Sequence, residues 1–224
     1  MKDKVIIFGN SDFAELVYTY MKYDSDFDIV AFCVDDEYVK SDKFCDLPLI
    51  PFSKINSYPP SEYKFFVAIG YLKLNSIRKD IYIRIKNLGY KFISYIHSSV
   101  ILPKEYVIGE NCMILDGNII EPFAEIENNV FIWSKNLIAH NTLIKKHTFI
   151  ASNVVIGGFT VVGEKSFVGL SSTLTDKIKI GSNCMIGAGS LILKNLEDNT
   201  VVINRGSKES KITSDEFLEY GIGV

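Results

Sequence analysis

From Ile96 to Ile192 every sixth residue is isoleucine, leucine or valine, seventeen in succession. These three types make up 63 of the 224 residues, so such a run has a chance probability of about 10⁻⁹. A period of six fits neither the 3.6 repeat of an α-helix nor the two-residue alternation of a strand. It fits a coil with three flat sides, each turning one aliphatic side chain inward. Four residues after each aliphatic the position is mostly small, as at Cys112, Ala124, Thr142, Thr148, Ser166 and Ser190, which suits a second inward site in a narrow prism. Glycine follows the aliphatic at Gly109, Gly157, Gly163, Gly169, Gly181 and Gly187, and these are read as corners needing positive φ or close backbone approach. The bias toward isoleucine, 30 against 16 leucines, agrees with a β-rich chain because a β-branched side chain packs well on a pleated surface.

Before residue 96 the pattern is different. Val5 to Phe8 is a short apolar run that meets Gly9, and Phe13 to Met21 places Phe13, Leu16, Val17 and Tyr20 at helical spacing. Ile29 to Val34 is a second apolar run closed by Asp35 and Asp36, and strand, turn, helix, strand is the βαβ unit of a parallel sheet. Phe65 to Ile69 ends at Gly70, Ser76 to Leu88 reads as a helix stopped by Gly89, and Tyr90 to Tyr95 as another strand. The chain thus divides into an α/β Rossmann-like domain over 1–95, an all-β parallel prism over 96–195, and a cap or tail over 196–224. In the first domain the turn GNSDFA can receive a phosphate, with Gly9 as the tight turn and Ser11 or Asp12 as helix cap. Asp35, ending the second strand, is placed to hold a ribose or sugar hydroxyl.

A net charge of −3 gives no field that would gather phosphate backbones, so general nucleic-acid binding is not expected. No stretch approaches the roughly 18 apolar residues of a membrane span. The start, MKDKVIIFGNSDF, has too short an apolar run for a signal peptide, so a cytoplasmic location is expected. Cys33, Cys45, Cys112 and Cys184 form no C-x-x-C pair, which argues against a zinc knuckle or redox dithiol. His97, His140 and His147 are too scattered along the coils to converge on zinc, so no metal is expected.

The units IGENCM, IGGFTV, VGEKSF and IGSNCM resemble the hexapeptide repeat of the left-handed parallel β-helix acyltransferases. The segment LIAHNTLIKKHTFIASNVVIGGFTVVGEKSFVG resembles a stretch of the sialic acid O-acetyltransferase (NeuD/PglD-like) family, which includes bacterial nucleotide-sugar N-acetyltransferases. Those proteins join a Rossmann-like domain to such a prism and form homotrimers with active sites between neighbouring prisms. The resemblance implies His140 as general base, in a position two residues past the inward Ile138. The chemistry agrees, since acyl transfer from a thioester needs a base that titrates near neutral pH and a donor for the oxyanion. It implies Gly158 as that donor, with Gly157 beside it, and acetyl-CoA as co-substrate along the prism edge near Leu170 and Ala188. Lys177, Lys179 and Lys194 could meet the coenzyme's phosphate.

Where the family usually has an acid after the histidine, this chain has Asn141, whose amide oxygen can accept from Nδ1–H; Glu121 or Glu125 could supply a charge instead. His147, one position off the family's second histidine, is expected at the solvated surface, Phe149 taking that place. The segment AIGYLKLNSIRKDI resembles a substrate-binding element of the first domain, giving Gly70, Tyr71, Asn75 and Arg78. Together these imply a trimeric acetyl-CoA-dependent N-acetyltransferase acting on a nucleotide-linked amino sugar. The rivals are O-acetylation of a sialic-acid-like sugar by the same residues, and a scaffold that has kept the prism without catalysis.

Overall fold

The computed structural model describes residues 2–209 and 213–215. The apolar runs near the N-terminus form β1 (Lys4–Phe8), β2 (Asp28–Val34) and β5 (Tyr63–Val67), with β3 (Lys43–Phe44), β4 (Leu47–Pro51) and β6 (Lys91–Phe92) completing the sheet. Strand order is β3-β4-β2-β1-β5-β6, parallel throughout except for the β3–β4 hairpin. Helix α1 (Asp12–Asp24) buries Ala14, Val17 and Met21; α2 (Ser76–Asn87) buries Ile81 and Ile85, but also Arg78. The run from Tyr90 to Tyr95 is not one strand. Lys91–Phe92 closes the first sheet, the Ser94 hydroxyl then bonds the Gly109 carbonyl, and β7 (Tyr95–Ile96) opens the next sheet.

The six-residue period is a left-handed parallel β-helix. Each period holds a two-residue strand, and strands eighteen residues apart pair in parallel, as Phe131–Ile132 does with Phe149–Ile150. Three sheets of five, five and seven strands form the faces of the prism. Its core is the predicted aliphatic column, with Ile114, Ile132, Ile138, Ile144, Ile150, Ile156 and Val168 all at 0 % exposure. The small inward positions do more than fit a narrow space. The hydroxyls of Thr142, Thr148, Thr160, Ser166 and Ser172 each donate to a carbonyl fifteen residues on, satisfying buried backbone acceptors. Asn118 and Asn136 break the small pattern and are still buried, because Asn118 Oδ1 accepts from the Asn136 amide and Asn136 Oδ1 from the Val154 amide.

The glycines after the aliphatics are close approaches and not the positive-φ corners. A Cβ on Gly157 would lie 2.5 Å from the Asp176 nitrogen, and one on Gly163 2.3 Å from the Gly181 oxygen. Positive φ falls two residues later in each hexad, at Asn111, Asn129, Asn141, Asn153 and Asn183 and also at His147 and Phe159. Asparagine tolerates that region better than other residues with a Cβ, which explains its recurrence there.

The tail does not leave the solenoid at Asn195. Leu196 bridges Ile180 and Val201–Val202 pairs with Met185–Ile186, a spacing of sixteen residues in place of eighteen. A two-residue slip, not the end of the coil, hides the period there. The short helix expected further on lies largely outside the described residues.

One prism face, running from Tyr95–Ile96 to Val201–Val202, packs on the first domain. Val5, Ile7, Val17, Met21 and Phe66 share a buried cluster with Met113, Leu115, Phe131 and Phe149, and the Phe66 and Phe131 rings stack at 5.7 Å. The second face carries Ile119, Leu137, Val155, Leu191 and Leu193 outward and is uncovered in the single chain; Leu191 and Leu193 are 64 % and 67 % exposed. The third carries Val107, Glu125, Leu143, Val161 and Lys179 outward.

Candidate active site

His140 stands at the corner between the second and third faces, two residues past the inward Ile138, and its side chain is exposed. The corner holds it at four points. Its N–H donates to Glu121 Oε2 at 2.8 Å, and its carbonyl accepts from the Phe159 N–H at 3.0 Å. The ring Nδ1 is 3.0 Å from Asn141 Oδ1, and the ring meets that of Phe159 edge to face with centroids 5.1 Å apart. An amide oxygen only accepts, so Nδ1 carries a proton, and in the neutral imidazole the lone pair is on Nε2. Glu121 therefore serves the backbone of His140 and not its ring. Glu125 lies further off, in an open cleft of about 520 Å³ that it lines with Tyr106, Pro122, Phe123 and Asn141.

Gly158 sits one coil further on, on the same corner and buried. A Cβ there would lie 3.0 Å from both Nε2 and Cε1 of His140, so only glycine leaves that side of the imidazole open. Among the described residues no acceptor pairs with the Gly158 N–H. The cause is local. Glu121 caps the N–H of His140 and Glu127 that of Lys146 from nineteen residues before, whereas Ala139, in that place for Gly158, has no side-chain oxygen; Asp176 on the following coil makes no bond to it, although Asn128 and Asp198 accept from Glu110 and Ser182. The residue against which the imidazole rests thus carries an amide donor with no partner among the described residues. Gly157 is different: its N–H is spent on the Leu174 carbonyl at 2.8 Å, and its missing Cβ makes room for Asp176.

Leu170 and Ala188 stack on the corner between the first and second faces, not on that of His140. Both corners border the uncovered apolar face. Lys177 and Lys194 lie further along the His140 corner and Lys179 on the adjoining third face, all exposed.

In the first domain Gly9 has φ 137° and a Cβ there would lie 2.8 Å from the Ala68 oxygen, so the turn requires glycine. Ser11 occupies the cap position of α1 without a side-chain cap bond, and Asp12 is exposed beside it. Asp35 is already engaged. One carboxylate oxygen lies 2.7 Å from the Arg84 guanidinium, which rests over the Phe52 ring at 4.1 Å. Arg84 was not legible as a site residue, because its only signal is a charge among the apolar positions of α2. The neighbouring Asp36 is held below the usual carboxylate range by bonds from the Ser53 hydroxyl and amide.

The AIGYLKLNSIRKDI segment faces the prism. Arg78 is fully buried and donates to the carbonyls of Gly70 at 3.0 Å, His147 at 2.9 Å and Thr148 at 3.2 Å, its guanidinium over the Phe131 ring at 4.2 Å. Burial without a carboxylate partner pushes it down to about 9. Asn75 is buried at φ 62° and donates to the Lys165 and Ser166 carbonyls, and Tyr71 packs on Phe149 and Phe167. Arg78 and Asn75 therefore bolt the first domain to the prism, leaving the buried Arg78 Nε and Asn75 Oδ1 without partners among the described residues. Gly70 accepts from Arg78 and has open space where a Cβ would be, so nothing in the backbone demands glycine. His147 is not solvated: at 3 % exposure it lies in the same seam, its Nδ1 2.8 Å from Asn129 Nδ2.

Residues 4–85 match the family described as the PglD N-terminal domain. The acetyltransferase domain of PglB from Neisseria gonorrhoeae, solved with acetyl coenzyme A, is similar in fold at 20 % identity and a TM-score of 0.81, covering 93 % of this chain and 99 % of that one. PerB from Caulobacter crescentus, solved with CoA and GDP-perosamine, is similar at 19 % identity and a TM-score of 0.78, covering 92 % and 96 %. WeeI from Acinetobacter baumannii aligns at 16 % identity and a TM-score of 0.57, covering 92 % and 99 %. The chain therefore joins an N-terminal α/β domain, matched over residues 4–85 by the PglD N-terminal domain model, to a left-handed β-helix of hexapeptide repeats.

Proposed function

We propose that the chain is an acetyl-CoA-dependent N-acetyltransferase acting on the amino group of a nucleotide-linked amino-deoxy sugar, in the cytoplasm. The observation that carries this reading is the exposed His140 imidazole lying against Gly158, whose N–H has no partner among the described residues. His140 Nε2 takes a proton from the sugar amine as its nitrogen attacks the thioester carbonyl, and Asn141 keeps the tautomer that leaves Nε2 basic. The Gly158 N–H donates to the oxyanion of the tetrahedral intermediate. Collapse expels the thiolate, and the imidazolium returns the proton to it, so no covalent intermediate with the protein forms.

Gly9, Ser11 and Asp12 border the end of the sheet where the nucleotide would lie, with Asp35 oriented by Arg84. The coenzyme would follow Leu170 and Ala188 along the prism edge. These flank the face of His140 from its other side, which supports assembly of copies through the apolar second face as a homotrimer. The PerB and PglB complexes support the two substrate classes. No helix among the described residues is long and apolar enough to cross a membrane.

The test has two steps. Stabilisation by UDP, GDP or dTDP in thermal unfolding identifies the carrier. With the matching amino sugar and acetyl-CoA, His140→Ala is expected to lower CoA-thiol release by at least about a hundredfold. Unchanged turnover would remove His140 as the base, and stabilisation by no nucleotide would remove the nucleotide-sugar acceptor.

A further inference from the structure

The positive-φ corners of the solenoid are filled by asparagine, glycine, lysine, serine and one buried histidine, with two exceptions. Phe123 and Phe159 hold the same strained backbone at φ 66° and 58°, and both are exposed, at 75 % and 52 %. Neither backbone preference nor burial within the chain selects phenylalanine there, since a left-handed conformation disfavours a bulky side chain. Strain of this kind concentrates where function holds it. Both lie on the His140 corner, eighteen residues before and after Asn141. Only Phe159 touches the His140 ring, edge to face with an interplanar angle of 89°, and its N–H also holds the His140 carbonyl.

We propose that Phe159 is a positioning residue that holds the plane of the His140 imidazole, so that Nε2 stays against Gly158. The hydrogen bond from Nδ1 to Asn141 fixes one point of the ring but leaves it free to swing about that point. An aromatic edge-to-face contact closes that freedom. In a chain whose residue after the histidine is a neutral amide, the wall supplies part of the fixity that a charged partner would otherwise give. The inference rests on His140 as the base.

The test compares Phe159→Asn, Phe159→Leu and Phe159→Tyr in the full chain. Asparagine suits the corner, so the Asn variant is expected to melt at the same or a higher temperature. Its kcat is expected to fall roughly tenfold, with KM for both substrates changed by less than about twofold. Tyr, which keeps the ring, should restore kcat, and Leu should not. Independently of turnover, the Phe159 ring current should displace the His140 carbon-bound proton signals by NMR in wild type and Tyr, and not in Asn or Leu. Unmoved His140 signals in the Asn variant overturn the proposal whether or not the protein transfers acetyl groups. So does a fall in melting temperature and oligomeric state that tracks the loss of rate, which would make Phe159 a packing contact between copies. Displaced signals in a protein without acetyl transfer would keep the positioning and discard the reaction.

Discussion

Adjacent glycines at the candidate site serve opposite purposes. At Gly157 an added Cβ meets backbone 2.5 Å away, whereas at Gly158 it meets the imidazole, a side chain that can turn aside. Gly157→Ala is therefore expected to destabilise the protein by about 2–3 kcal/mol in denaturant unfolding, because two coils must separate. Gly158→Ala is expected to cost less than about 1 kcal/mol yet lower kcat by roughly a hundredfold, since Nε2 is displaced and the amide is crowded. Equal effects of the two changes on stability would mean that His140 cannot yield. The dipeptide Gly-Gly was legible in the sequence. Which glycine spares a ring and which spares a coil depends on what lies eighteen residues away, and local pattern does not carry that.

At the scale of elements, the seam between α2 and the prism corrects the sequence reading most. Asn111 accepts from the Val67 amide of β5 and donates to Asn129, whose amide nitrogen meets His147 Nδ1. This buried ladder climbs three coils and ties the end of β5 to them. Burial pushes His147 down to about 4 from the ordinary 6.5, helped against the nearby Glu164 by the cations Lys79, Arg78 and Lys146. The unfolded chain then binds the proton more readily than the folded one, so stability is full above pH 6.5 and is lost as pH falls toward 4. The loss should reach about 2–3 kcal/mol across that window. His147→Asn, the residue type at the two preceding corners of the ladder, should flatten this dependence in urea titrations between pH 4 and 7. An unchanged slope would assign it to the carboxylates. Sequence placed His147 in solvent because every hexad corner looks exposed when the prism is considered alone. It is buried because α2 lies against that one corner, with Tyr82 edge to face on its ring.

For the whole molecule the three faces of the prism are unequal. One is covered by the first domain, one mixes Glu125 and Lys179 with Val107, Leu143 and Val161, and the remaining one presents Ile119, Val155, Leu191 and Leu193 to solvent. The proposed trimer uses this face. Leu191→Asp combined with Val155→Asp should therefore give a monomer in analytical ultracentrifugation. Its thermal midpoint should match that of the wild type at low concentration, where subunit contacts contribute little, because both side chains point outward. A trimer that survives both substitutions would place the subunit contact elsewhere.

The sequence by itself determined the prism, its start near Ile96 and the corner that carries His140. A hexad is a translational repeat: inward positions, strand pairs and corners follow from counting by six and eighteen, and the aliphatic column holds them in phase. The parallel sheet was legible for a similar reason, since apolar runs and helical spacing are local. Only the tertiary structure decided that Arg78 and Asn75 face the prism, that Arg84 pairs with Asp35, and that Leu170 and Ala188 stand across a face from His140. It also decided that the last coil runs on past Asn195 after a two-residue slip. Each of these depends on which surfaces meet, and that is set by shape and buried area summed over distant segments, which no short stretch of sequence contains.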